Sequence, residues 1–232
     1  MIIAAIVAGG SGTRMGGELP KQFLDLCGKP VIIRTIESFL RHTRVDAAVV
    51  GINPAYYGYM KELAERYIPD SRVYITNGGE SRNETIEKII SYSLSELGCS
   101  DSDIILSHDA VRPFVSERLI DESIAAMDKH TICTAAVPEV DTVAVSENGI
   151  TVDSFPDRSR LYRIQTPQTF RAGSFNSICG SLSAEEKLRA TDVCSLFLIR
   201  GYKTAIVQGD YTNIKLTYPE DLIIAKSIIN PV

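Results

Sequence analysis

Through the first 137 residues, short runs of β-branched and aliphatic side chains alternate with stretches in which apolar positions recur every three or four residues. This alternation is the signature of βαβ units and a mostly parallel sheet. The apolar runs predict strands at 2–7, 47–52, 72–76, 103–108 and 132–137. Between them, 30–41 places Ile33, Ile36, Phe39 and Leu40 on one helical face, with Pro30 suited to a first turn. Further crossover helices are predicted at 55–67, 82–97 and 116–129. Near the C-terminus, 217-TYPEDLIIAKSII-229 reads as a helix opened by a capping box of Thr217 and Glu220.

After residue 137 the pattern changes. In 140-VDTVAVSENGITVDSF-155, two β-rich arms flank Asn148-Gly149, a strong hairpin signal. This hairpin is either an edge of the sheet or an arm that reaches a second subunit. With no linker, repeat or low-complexity segment in sight, residues 1–232 are expected to form one α/β domain.

Composition narrows the class. The chain has 232 residues, 44% of them hydrophobic, enough for one sizeable core without covalent staples. A formal net charge of -5 argues against a broad nucleic-acid surface, so any cationic site must be local. No apolar run approaches the roughly 18 residues of a membrane span, and MIIAAIVAGG lacks the basic start of a secretory signal. The expected location is the cytoplasm. Five cysteines with no CxxC pair favour neither disulfides nor zinc.

The candidate chemistry lies where predicted strands end. The stretch 8-AGGSGTRMGGELPKQF-23 leaves the first strand as a glycine-rich turn, where exposed N–H groups can cradle phosphate and Arg14 and Lys21 add positive charge. Neither GxxxxGK[ST] nor GxGxxG fits these letters, and a plain flexible turn is the competing reading. In 103-DIILSHDAVRPF-114, Asp109 stands at a strand end, placed either to hold Mg²⁺ or to cap a turn with Arg112. The segment 77-NGGESRNETI-86 reads as a turn and helix start, and 213-NIKLT-217 places Lys215 on a short strand before the last helix.

Taken together, 8-AGGSGTRMG-16 with 20-PKQF-23 resembles the signature of nucleotidyltransferases that build nucleotide-diphospho sugars and polyols. The segments 78-GGESRNETI-86, 108-HDAVRPF-114, 141-DTV-143, 165-QTPQTF-170 and 213-NIKLT-217 narrow the likeness to the branch of methylerythritol phosphate and ribitol-5-phosphate cytidylyltransferases. Within that branch, 161-LYRIQTPQTF-170, 180-GSLSAEEKLRATDVCSLFLIRG-201 and 211-YTNIKLT-217 look like the ribitol phosphate subgroup. Thr212 stands where the methylerythritol subgroup usually carries Asp, and 191-TDVC-194 departs from its TD[DE]A pattern.

The resemblance implies a single-domain, Rossmann-like three-layer α/β/α sandwich of the nucleotide-diphospho-sugar transferase type, with a mostly parallel sheet and a protruding hairpin arm at about 139–160. It implies transfer of CMP from CTP to a polyol phosphate, with Mg²⁺ as cofactor. Arg14, Lys21 and Lys215 would be catalytic. Ala8, Gly9, Gly10, Gly12, Gly79, Glu80, Thr85 and Ala110 would bind CTP, and Asp109 would hold the metal. Arg112, Thr142, Arg158, Thr166 and Asp192 would bind the polyol phosphate. The arm would join a homodimer with shared sites. The alternatives are methylerythritol phosphate as acceptor, or a nucleotide-binding protein without catalysis.

Overall fold

In the computed structural model, which describes residues 1–9 and 19–230, the predicted apolar runs become the centre of a seven-stranded sheet. The strands are β1 (Ile2–Ala8), β4 (Ala47–Ile52), β5 (Val73–Asn77), β6 (Ile104–Asp109), β7 (Ile132–Pro138), β8 (Tyr162–Arg171) and β9 (Ala205–Gln208), in the order β5-β4-β1-β6-β8-β7-β9. A separate antiparallel ribbon joins β2 (Asp25–Leu26) to β3 (Lys29–Pro30). All neighbours in the large sheet are parallel except β8, which runs antiparallel to both β6 and β7.

Because β1 and β4 are buried on both faces, they carry continuous apolar runs rather than an alternation. Successive side chains still point to opposite faces. Ala4, Ile6 and Ala8 pack with α1 (Val31–Leu40), α2 (Tyr57–Tyr67) and α4 (Glu117–Ala126), whereas Ile3 and Ala5 pack with α3 (Arg82–Glu96), α5 (Ala172–Ser181) and α7 (Val193–Ile199). Two cores sandwich the sheet, giving the expected three layers. A smaller cluster of Leu26, Val31, Val111, Leu216 and Ala225 docks the last helix, α8 (Pro219–Ile229).

Several expectations are corrected. Pro219 takes the first position of α8, so Tyr218 becomes the cap, and Asp221 rather than Glu220 accepts from the Thr217 and Tyr218 N–H groups at 2.6 and 2.8 Å. Residues 213–217 form no strand; the segment is joined to the 109–112 turn by Leu216 N–H donating to Val111 O at 3.0 Å. The hairpin at 140–155 does turn at Gly149, with φ of 70°, but its arms share only the bridge between Val145 and Ser154. Its apolar residues, Ile150 (89% exposed) and Phe155 (67%) above all, have no core of their own. Residues 162–208 hold β8, α5, the short α6 (Ala184–Arg189), α7 and β9, none of which the hydrophobic periodicity announces.

Candidate active site

Parallel strands deliver their carboxyl ends to one edge of the sheet, the usual ligand edge of open α/β folds. Ala8 and Gly9 end β1 there, and Asp109 ends β6 beside them, in register with Val7. The reversed strand β8 enters at this edge and places Thr166 against the same point. Thr166 Oγ1 accepts the Asp109 N–H at 3.2 Å and donates to His108 Nδ1 at 3.0 Å, while His108 Nε2 donates to Arg112 O at 2.9 Å. This tautomer is the neutral one, and burial pushes the His108 pKa down to about 4.

The Asp109 carboxylate is surrounded by cations. Lys215 Nζ lies 2.9 Å from Oδ2, Arg82 Nε 3.2 Å from Oδ1 and Arg112 Nε 3.6 Å from Oδ2. Burial alone would raise the Asp109 pKa, but Arg82, Lys215 and Arg112 outweigh it and hold the carboxyl well below the usual range. Burial lowers the Arg112 pKa, while Asp109 pulls the other way. Three cations facing one carboxylate leave a local excess of positive charge in an acidic protein, an environment suited to phosphate.

Sequence reasoning assigned no role to Arg82. It follows the Ser81 cap at the first position of α3, where the helix dipole disfavours a cation. An arginine placed there against the dipole signals a counter-charge elsewhere, here Asp109 on β6. Gln168 supports it, accepting from Arg82 Nη1 at 3.2 Å and donating to Asp192 Oδ2 at 2.6 Å. Asp192 also caps α7, so it meets the cluster through Gln168 rather than directly.

A second group forms around Thr85, which is fully buried. Its hydroxyl accepts the Gly79 N–H at 3.0 Å and donates to Ser81 O at 2.9 Å, while Glu84 holds the Glu80 N–H at 2.8 Å. A Cβ on Gly9 would stand 2.7 Å from Thr85 Oγ1, so the 78–85 loop rests directly on the end of β1. Ala110 closes the neighbouring turn, its N–H donating to Val7 O at 3.1 Å and its carbonyl accepting from Thr35 at 2.8 Å. Lys21 opens a 3-10 turn tied back to β1 by Gln22 Nε2 donating to Ala8 O at 3.2 Å. Arg14, Gly10 and Gly12 lie outside the described residues.

Thr142 and Arg158 stand apart, on the exposed arm, where Arg158 Nη1 donates to Val140 O at 3.0 Å. Among the described residues no group of three or more His, Cys, Asp or Glu converges on a metal position. Mg²⁺ is commonly held by one or two carboxylates, with water and substrate phosphates completing its shell, and Asp109 is a carboxylate at this edge.

The family model described as IspD: 2-C-methyl-D-erythritol 4-phosphate cytidylyltransferase matches residues 2–231. The chain belongs to this family. Among curated relatives, a ribitol-5-phosphate cytidylyltransferase of Streptococcus pneumoniae is 43% identical over 232 residues, covering 99% of both chains. A crystal structure of 4-diphosphocytidyl-2C-methyl-D-erythritol synthase is 28% identical with a TM-score of 0.83, covering 99% of this chain and 98% of that one. The enzyme of the same name from Anaerococcus prevotii is also 28% identical, with a TM-score of 0.79 over 98% and 95% of the two chains. The expected fold and its cytidylyltransferase family are therefore established. In this cytidylyltransferase the Thr85 loop and the Asp109 cluster both meet the end of β1, and Arg82 links the one to the other.

Proposed function

We propose that the chain transfers CMP from CTP to D-ribitol 5-phosphate, forming CDP-ribitol and pyrophosphate. The observation that carries this reading is the convergence of Arg82, Arg112 and Lys215 on Asp109 at the edge where β1 and β6 end. The choice of acceptor is supported by the relatives' printed name and by Thr212, Tyr211 and the 161–170 segment.

A phosphate oxygen of the acceptor attacks the α-phosphorus of CTP, and the bond from that phosphorus to the oxygen bridging toward the β-phosphate breaks. No covalent enzyme intermediate is needed, because positioning and charge stabilisation govern such transfers. The backbone from Ala8 to Gly12 wraps the triphosphate, with Ala110 beside it. Arg14, Lys21 and Lys215 meet the charge that builds on the transferring group. Asp109 would hold Mg²⁺, which screens the repulsion between two anionic reactants. The backbone of Gly79 and Glu80 reads the cytosine edge, and Thr85 sets that backbone's course. Arg112 and Thr166 take the acceptor phosphate, with Asp192 acting through Gln168.

Residues 139–160 are the dimerisation arm of a single 1–232 domain. The support is its exposed apolar residues, which need a second surface. In the homodimer the arm brings Thr142 and Arg158 to the neighbour's acceptor. CTP as a substrate places the reaction in the cytoplasm, and among the described residues no helix is long and apolar enough to cross a membrane.

A pyrophosphate-release assay with CTP and either acceptor tests the reading. Faster turnover with ribitol 5-phosphate supports it; faster turnover with methylerythritol 4-phosphate moves the chain to the reaction for which its family is named. No turnover with either would overturn both.

A further inference from the structure

Beside the Asp109 cluster, on the side away from the Thr85 loop, lies a cleft of about 470 Å³ between β7, β8 and the 211–215 segment. Its volume falls within the ordinary range for small-molecule sites. Arg112, Lys215 and the buried Asn213 form the end nearest Asp109, and Arg163, Gln165 and Tyr211 supply the other polar groups.

These outer groups are held in place. The Arg163 guanidinium lies 5.8 Å from the Tyr211 ring centroid, and its Nε is 3.5 Å from Glu139 Oε2. The Tyr211 hydroxyl donates to Pro138 O at 3.3 Å. Gln165 Nε2 donates to Asp210 O at 2.8 Å, and a Cβ on Gly209 would meet Gln165 Oε1 at 2.5 Å, so the amide has little room to turn. Asn213 is fully buried and donates to Thr166 O at 2.8 Å, yet its Oδ1 has no hydrogen-bond partner among the described residues. Arg112 Nε, by contrast, is turned toward Asp109 Oδ2 at 3.6 Å. Buried polar atoms are nearly always paired, so the unpaired Asn213 Oδ1 on a residue lining this cleft points to a polar ligand.

We infer that this cleft holds the polyol chain of the acceptor, and that Arg163 and Tyr211 select for its hydroxyl groups. This rests on the function proposed above. With the phosphate between Arg112 and Lys215, a carbon chain bearing a hydroxyl at each carbon runs outward past donors and acceptors on successive groups. Arg163 offers up to five N–H donors, and the Tyr211 hydroxyl, which donates to Pro138 O, accepts from a polyol hydroxyl. A methyl branch in place of a hydroxyl leaves such groups unpaired, and sites built around hydroxyls reject analogues that lack them. Because Glu139 begins the arm, its contact with Arg163 also ties the selecting residue to the base of that arm.

The test is steady-state kinetics on the full chain carrying Arg163→Leu, Tyr211→Phe or Tyr211→Ala, with folding checked by thermal melting. CTP is paired with ribitol 5-phosphate and with methylerythritol 4-phosphate. Arg163→Leu should raise KM for ribitol 5-phosphate roughly tenfold or more, as expected for a lost charged hydrogen bond. It should leave KM for CTP within about twofold and narrow the preference between acceptors. Tyr211→Ala should do the same, with Tyr211→Phe intermediate. Unchanged acceptor constants, or equal rises in both KM values, would overturn the inference while the wild-type enzyme still used ribitol 5-phosphate. A wild-type enzyme inactive with both acceptors would instead overturn the proposed function, and this inference with it.

Discussion

Lys215 Nζ lies 2.9 Å from Asp109 Oδ2, which joins the segment before α8 to the end of β6 through one ion pair. The carboxylate is shared with Arg82 and Arg112, so removing its charge strands three cations. Asp109→Asn should lower kcat by about a hundredfold or more and should also lower the melting temperature, since breaking a buried pair costs several kcal/mol. Kinetics alongside calorimetry check both. A variant that loses activity while melting at the wild-type temperature would show that the cluster does not hold the fold together.

Arg82→Lys keeps the charge but loses the fork that meets Asp109, Gln168 and Ser107 together. Its expected effect is a roughly tenfold fall in kcat/KM, on the scale of one charged hydrogen bond, with a further loss in Arg82→Ala. If Arg82→Ala retained full activity, Arg82 would have no part in positioning Asp109.

Lys21→Ala should act on turnover rather than binding. The loss expected of a preorganised charge donor is on the order of 3 kcal/mol in the barrier, about a hundredfold in kcat, with KM for CTP little changed. Rapid-quench measurement of the first turnover separates this from slow product release.

Thr85→Val replaces a fully buried hydroxyl that orders Gly79 and Ser81 with a methyl of similar size. The 78–85 loop should lose its set course, raising KM for CTP by roughly tenfold and relaxing discrimination against UTP. Rates with the two nucleotides at equal concentration provide the check. Gly9→Ala, whose Cβ would stand 2.7 Å from Thr85 Oγ1, should disturb the same contact from the other side.

Thiol reactivity should be selective. Burial pushes the Cys99 pKa up to about 11 and those of Cys133, Cys179 and Cys194 up to about 12. The thiolate is the reactive form, so a raised pKa slows attack at pH 8. A disulfide reagent should therefore label the native protein fastest at Cys27, on the turn between β2 and β3, and Cys27→Ser should abolish that fast phase.

What the sequence made legible follows from how each element is stabilised. Strands β1 and β4 are announced by apolar runs because burial on both faces leaves no polar position, and β6 by the apolar start that precedes Ser107, His108 and Asp109. Strand β8 is silent because Pro167, Gln165 and Gln168 interrupt its pattern, yet Gln165 and Gln168 each find tertiary hydrogen-bond partners. The shift of the α8 cap from Thr217 to Tyr218 reflects Pro219 taking the first helical position. At the site, Asp109, Arg112 and Lys215 stood out as charges near strand or segment ends. Arg82, at the start of α3, did not, because its role depends on a partner 27 residues away on β6.

The antiparallel course of β8, with the 101-residue span between Arg112 and its hydrogen-bond partner Asn213, bears on how the enzyme is made. A nascent chain has β1, β4, β5 and β6 available early and can begin the sheet while still attached to the ribosome. Thr166, Asn213 and Lys215 arrive only after these strands. The charge arrangement at Asp109 is therefore completed after its scaffold, and a polypeptide cut off before residue 213 would keep much of that scaffold yet have no means of completing it.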